Sequence, residues 1–144
     1  MKKLLASQAG FTLIEIMAVI ILIALAIGLV GPEVFKRLAQ GRQDSARSQI
    51  AGFDMTLASY RMDNGTYPTT DQGLEALRIR PLLPPVPEKW NGPYLSKDVP
   101  VDPWGNPYRY ICPGKRNTEG YDLYSLGSDG MEGGIGEAAD ITNW

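Results

Sequence analysis

The twenty residues from Phe11 to Val30, FTLIEIMAVIILIALAIGLV, carry a single charge, at Glu15. As a helix rising about 1.5 Å per residue, the run spans about 30 Å, the thickness of a bilayer's hydrocarbon core. Ten residues precede it, MKKLLASQAG, with Lys2 and Lys3 near their start and Gly10 at their end. An ordinary secretory signal places its apolar region ahead of the cleavage point. Here the expected processing junction, Gly10–Phe11, lies in front of that region. Cutting there removes a charged leader, residues 1–10, keeps the apolar helix on the mature chain, and creates a new amino group on Phe11.

Glu15 is the anomaly. A carboxylate well inside a bilayer costs about 2.5–3.5 kcal/mol on insertion scales, so such groups have partners. The natural partner is the Phe11 amine, about 6 Å along the axis within one helix. The same pairing made to a neighbouring subunit would fix the axial stagger of packed helices. The plainer alternative is a membrane anchor that tolerates an acid near its end. The string Gly10-Phe11-Thr12-Leu13-Ile14-Glu15 resembles the class III signal of type IV pilins and type II secretion pseudopilins. That resemblance implies a prepilin peptidase that cuts after Gly10 and methylates the nitrogen of Phe11, and it implies a role for Glu15 in assembly.

Past Val30, Gly31 and Pro32 interrupt the pattern, since proline inside a helix removes a donor and kinks or locally melts it. The helical period then returns. Ala46, Ile50, Phe53, Leu57 and Tyr60 form a one-face stripe, with Arg42, Ser45, Gln49, Asp54 and Arg61 expected on the polar side. One long helix is therefore expected from Phe11 to Met62, ended by Asp63-Asn64-Gly65 with Gly65 as a left-handed cap. Its first part, 11–31, is the membrane or filament-core segment, and its second part opens a globular domain over 32–144.

Within that domain, residues 63–107 are proline-rich. Thr70 to Leu77 is expected as a short helix capped by Thr70 or Asp71. Pro81, Pro84, Pro85 and Pro87 then exclude further helix or a central strand. These prolines make either a rigid connector or a PxxP partner motif. Asp102-Pro103-Trp104-Gly105-Asn106-Pro107 is a tight turn. It leads into a strand at Tyr108–Ile111, a hairpin turn at Lys115–Gly120 and a returning strand at Tyr121–Leu126. The expected architecture is α+β: a long N-terminal helix packed on a small antiparallel sheet over 108–126, followed by a C-terminal loop over 126–144.

Composition narrows the chemistry. Net charge is −2, there is no histidine, and Cys112 is the only cysteine. An intramolecular disulfide, a Cys/His zinc site and histidine acid–base chemistry are excluded. The acidic tail and the absence of a basic, aromatic-studded stripe argue against a nucleic-acid partner. That tail, SLGSDGMEGGIGEAADITNW, places Asp129, Glu132, Glu137 and Asp140 in a glycine-rich loop. Calcium takes six to eight oxygens from carboxylates, main-chain carbonyls and water, and glycine lets carbonyls turn inward. The EF-hand spacing is absent, and on spacing alone a solvated acidic loop stands beside a metal site.

Asn64-Gly65-Thr66-Tyr67-Pro68-Thr69-Thr70, Asp102 to Tyr108, and Ser125 to Trp144 resemble the major pseudopilins of type II secretion, over nearly the whole chain from Gly10 onward. The resemblance implies a type IV pilin-like fold and a calcium ion in the C-terminal loop. Asp129 and Asp140 would supply side-chain oxygens, and Leu126 and Met131 carbonyls. It further implies single-pass anchoring in a bacterial inner membrane, a periplasmic domain, and assembly with copies of itself. Minor pseudopilins, an inner-membrane assembly platform and the prepilin peptidase are the other implied partners. Two other readings stay open: a type IV or competence-type pilin, and an anchored hydrolase using Asp98 with Asp102 or Asp129 with Asp140.

Overall fold

The computed structural model describes residues 10–144. Lys2, Lys3 and the rest of the expected leader up to Ala9 lie outside them. One helix, α1 (Leu13–Asn64), is followed by three short strands, β1 (Arg109–Ile111), β2 (Asp122–Ser125) and β3 (Ile141–Thr142). The chain divides into two compact units, one ending at Leu38 and the other running from Ala39 to Trp144.

In the first unit, α1 presents apolar side chains on every side and buries none of them: Leu13 is 79% exposed and Leu29 81%. Pro32 lies inside the helix. The helix begins at Leu13, two residues later than the periodicity suggests, because Thr12 caps it. Thr12 Oγ1 accepts from the Glu15 N–H at 3.2 Å, and Glu15 Oε2 accepts from the Thr12 N–H at 3.1 Å. This reciprocal pair is a capping box.

The second unit is organised by the expected stripe, and Ala46, Ile50, Phe53, Leu57 and Tyr60 are all buried. They share one core with Leu77, Tyr108, Tyr110, Leu123 and Ile141. Phe53 meets Tyr108 edge-on, ring centroids 5.3 Å apart. Three side chains expected on the polar side instead flank this core and hold its tyrosines. Tyr108 Oη donates to Gln49 at 2.8 Å, Tyr121 Oη donates to Asp54 at 2.6 Å, and Arg61 donates to Tyr67 Oη at 3.3 Å. At the end of α1, Gly65 takes φ +81° and its N–H donates to the Arg61 carbonyl at 2.8 Å. That is a single-bond left-handed cap.

The expected short helix is only a 3-10 turn, Leu74–Leu77, and neither Thr70 nor Asp71 caps it. Thr70 is engaged elsewhere: its hydroxyl accepts from the Cys112 N–H at 2.9 Å and donates to the Cys112 carbonyl at 3.1 Å. Thr69 and Gln72 close a box of their own. Gln72 then donates to the Leu83 and Pro85 carbonyls at 2.8 and 2.9 Å, fastening the proline segment to the core.

The sheet runs β1-β2-β3, antiparallel throughout, with Tyr110 opposite Leu123 and Ser125 opposite Ile141. Strand β3 comes from the tail and adds an edge that two residues are too few to announce by alternation. The β1–β2 connection is held by Asp122, which is buried and accepts from the N–H groups of Lys115, Arg116 and Asn117 at 2.6, 2.8 and 2.9 Å. Burial pushes this carboxyl up, but the three N–H donors and the nearby Arg116 charge outweigh it and hold the value below 3.8.

Asp122→Asn should therefore lower stability at neutral pH by about 2 kcal/mol, since charge-assisted bonds are lost. A depressed folded-state value means that the contribution is whole above the ordinary carboxylate range and drains away as pH falls through that depressed value. In urea melts the gap between wild type and variant should narrow in acid. A gap that widens in acid would show that the carboxylate's charge is not what holds the turn.

Candidate functional site

Two regions hold the residues singled out by the sequence. At the N-terminal end, Gly10 and Phe11 are exposed. Among the described residues, nothing stands within 4 Å of the position a Gly10 Cβ would take. Glu15 faces back toward it, its Oε2 also accepting from the Thr12 hydroxyl at 3.2 Å. A carboxylate in the first helical turn suits the positive end of the helix dipole. Cleavage at the expected junction would place the Phe11 ammonium next to Thr12, which already donates to this carboxylate. The signal for this box, Thr-x-x-Glu, was present in the sequence at residues 12–15.

At the other end of the chain, β2 leads through Leu126 into the acidic loop. Gly127, Gly130, Gly133, Gly134 and Gly136 all have positive φ. At Gly127 this freedom is required twice over, because a Cβ there would lie 2.7 Å from the Glu137 carbonyl. Asp129 is exposed, and its Oδ1 accepts from the Met131 N–H at 3.1 Å. Asp140 accepts from the Gly133 N–H at 2.9 Å through Oδ2, while its Oδ1 is buried without a hydrogen-bond partner. An orphaned carboxylate oxygen in an all-oxygen donor set fits a hard cation such as calcium.

The four acids do not converge, however. Among the described residues no group of three acidic, cysteine or histidine side chains is placed to hold one ion. Glu137 is turned away, paired with Arg42 at 3.5 Å. Beside it, Gln43 donates to the Gly136 carbonyl at 2.6 Å, so α1 grips the loop from one side. A cation here would draw on Asp129, Asp140, main-chain carbonyls and Glu132, which lines the same cavity as Asp140. Leu126, buried where the loop begins, and Met131, with an exposed side chain, are the carbonyl donors that the resemblance implies.

Of the carboxylates considered for hydrolysis, Asp98 and Asp102 are committed to structure. Asp98 pairs with Arg78 at 2.6 Å, and Asp102 is buried within its own turn. Three buried phenols and the one thiol of the domain keep their protons. Burial pushes the phenols of Tyr108, Tyr110 and Tyr121 and the Cys112 thiol up. The thiol is accordingly no thiolate nucleophile at neutral pH.

A helix apolar all round at its start, carrying a small antiparallel sheet on the stripe of its second half, defines a type IV pilin-like subunit. A family profile described as type II secretion system (T2SS), protein G, matches residues 33–144, and a profile for the prokaryotic N-terminal methylation motif matches residues 5–31. The chain belongs to the type II secretion system protein G family, whose members are structural subunits and not enzymes. It is 47% identical to the type II secretion system core protein G of Pseudomonas aeruginosa, with 95% of each chain covered. The corresponding protein of Vibrio cholerae is 42% identical, with 100% of this chain and 96% of the relative covered. The crystal structure of the major pseudopilin from the type 2 secretion system of enterohaemorrhagic Escherichia coli superposes with a TM-score of 0.67. That structure is 33% identical, and the match covers 78% of this chain and 95% of the other. These likenesses favour the secretion pseudopilin over the type IV or competence pilin.

Proposed function

We propose that this chain is the major structural subunit of a type II secretion pseudopilus, polymerising into a periplasmic filament that drives folded proteins across the outer membrane. The observation that carries the reading is the unburied first half of α1, where not one residue of the most apolar stretch is covered. In water that surface is untenable, so it needs lipid before assembly and sister helices after it. A peptidase that cuts between Gly10 and Phe11 and methylates the new amine would release the subunit for assembly. The Glu15 carboxylate then meets the Phe11 ammonium of an adjacent protomer. Lys2 and Lys3 favour a cytoplasmic N-terminus, which puts residues 39–144 in the periplasm. Minor pseudopilins and an inner-membrane assembly platform are the expected partners beyond copies of the chain itself.

Calcium is the proposed cofactor of the C-terminal loop, held by Asp129, Asp140 and the carbonyls of Leu126 and Met131. When bound it neutralises the clustered acids and cross-links the two ends of the loop. The orphaned Asp140 oxygen supports this assignment.

Mass spectrometry of the protein recovered from its native cells tests the class directly. The mature chain should begin at Phe11 and carry one extra methyl group on its amine. A mature terminus at any other residue, or an intact leader on assembled material, would refute the reading.

A further inference from the structure

We infer that Asp102, Ser125 and Asn106 form a positioning relay that aims the Leu126 carbonyl at the cation of the C-terminal loop; this rests on the calcium reading of that loop. Asp102 is 3% exposed and accepts three hydrogen bonds. Two come from its own turn, the Trp104 N–H at 3.1 Å and the Asn106 N–H at 2.7 Å, both to Oδ1. The third comes from the Ser125 hydroxyl, 2.5 Å from Oδ2, across 23 residues of sequence. With its proton committed to Asp102, the Ser125 oxygen presents its lone pairs elsewhere, and it accepts from the Gly127 N–H at 3.1 Å.

That last bond orients a carbonyl it never touches. A trans peptide is planar, with its C=O and N–H pointing in opposite directions. Holding the Gly127 N–H on Ser125 therefore turns the Leu126 C=O to the other side. The next peptide is gripped at both ends: Asn106 Nδ2 donates to the Gly127 carbonyl at 3.0 Å, and the Ser128 N–H donates to the Glu137 carbonyl at 2.9 Å. Two consecutive peptide planes are thus set from the Asp102–Asn106 turn, and only glycine, at φ +63°, joins them here. None of the three relay residues would touch the ion. They hold the backbone that does, as outer-shell partners hold metal ligands elsewhere.

The test uses the full mature chain in detergent micelles, titrated with calcium against a competing chelator well below the melting temperature of the calcium-free protein. Asn106→Ala and Ser125→Ala should each weaken calcium binding about tenfold or more, the scale of outer-shell losses. Leu57→Ala, a buried core change on α1 that takes no part in the relay, should lower stability while leaving affinity within about twofold, since a folded site keeps its ligands. If Ser125→Ala does not fold, the half-buried Asn106 carries the test alone. Wild-type affinity in the relay variants would overturn the relay and leave the calcium reading standing. An equal loss in Leu57→Ala would also overturn the relay, as a general stability effect. No saturable calcium binding by the wild-type chain would remove the calcium reading and the relay with it.

Discussion

Glu15→Leu subunits should reach the membrane at normal levels, be cleaved, and fail to form filaments. The substitution removes a charge from the apolar run, so insertion becomes easier by about 2.5–3.5 kcal/mol, and poor delivery cannot explain the defect. The hydrogen bonds of Glu15 are made to Thr12, within the first unit, so the melting temperature of residues 39–144 should not move. What is lost is the anion that meets a neighbour's ammonium. Removing one member of a buried ion pair leaves the other uncompensated, at about 3–5 kcal/mol. At 1.4 kcal/mol per tenfold, each subunit addition weakens by about 100-fold or more. Glu15→Gln keeps the shape and can still accept from Thr12, so it should fall between the two. Sheared-filament yields per cell would measure the effect, and Glu15→Leu yields above half of wild type would eliminate the proposed pairing.

Calcium removal should have the second largest effect. A site with a dissociation constant of about 10 μM at 1 mM calcium adds roughly 2.7 kcal/mol to folding. For a domain of about a hundred residues this corresponds to a melting shift of about 10–20 °C. The two aspartates should behave differently under chelation. Asp129 is exposed and bonds only the Met131 N–H, so calcium-free Asp129→Ala should melt close to calcium-free wild type and simply lack the calcium-dependent rise. Asp140 also holds Gly133, so Asp140→Ala should lose some stability even without the ion. Thermal melts by circular dichroism with calcium and with chelator decide the matter, and a wild-type melting temperature indifferent to calcium would sink the proposal.

The parts of this molecule that could be read in advance are those carried by period. Ala46 to Tyr60 repeat at helical spacing, and all five are buried as that spacing requires. Gly65 after Asp63-Asn64 marked the helix end because few other residues take φ +81°. What escaped prediction depends on partners distant in sequence. Thr70 offered a plausible cap but bonds Cys112, 42 residues away, and no local pattern reveals that. Strand β3 exists only because the tail returns to β2 at Ser125. Among the site residues, the Glu15 anomaly is visible as a charge in an apolar run, and its bond to Thr12 is signalled locally by Thr-x-x-Glu. Glu137 looked like one more acid of the loop until its pairing with Arg42 removed it from the donor set.

Because Thr12 donates twice to one oxygen of the Glu15 carboxylate from within its own chain, a solitary subunit carries an anion that is already partly compensated. Newly made protein can stand dispersed in the bilayer as a quiet reservoir, with less electrostatic reason to clump at random. Recruitment then becomes an exchange of one set of donors for another, which keeps the step close to balance and easy to reverse.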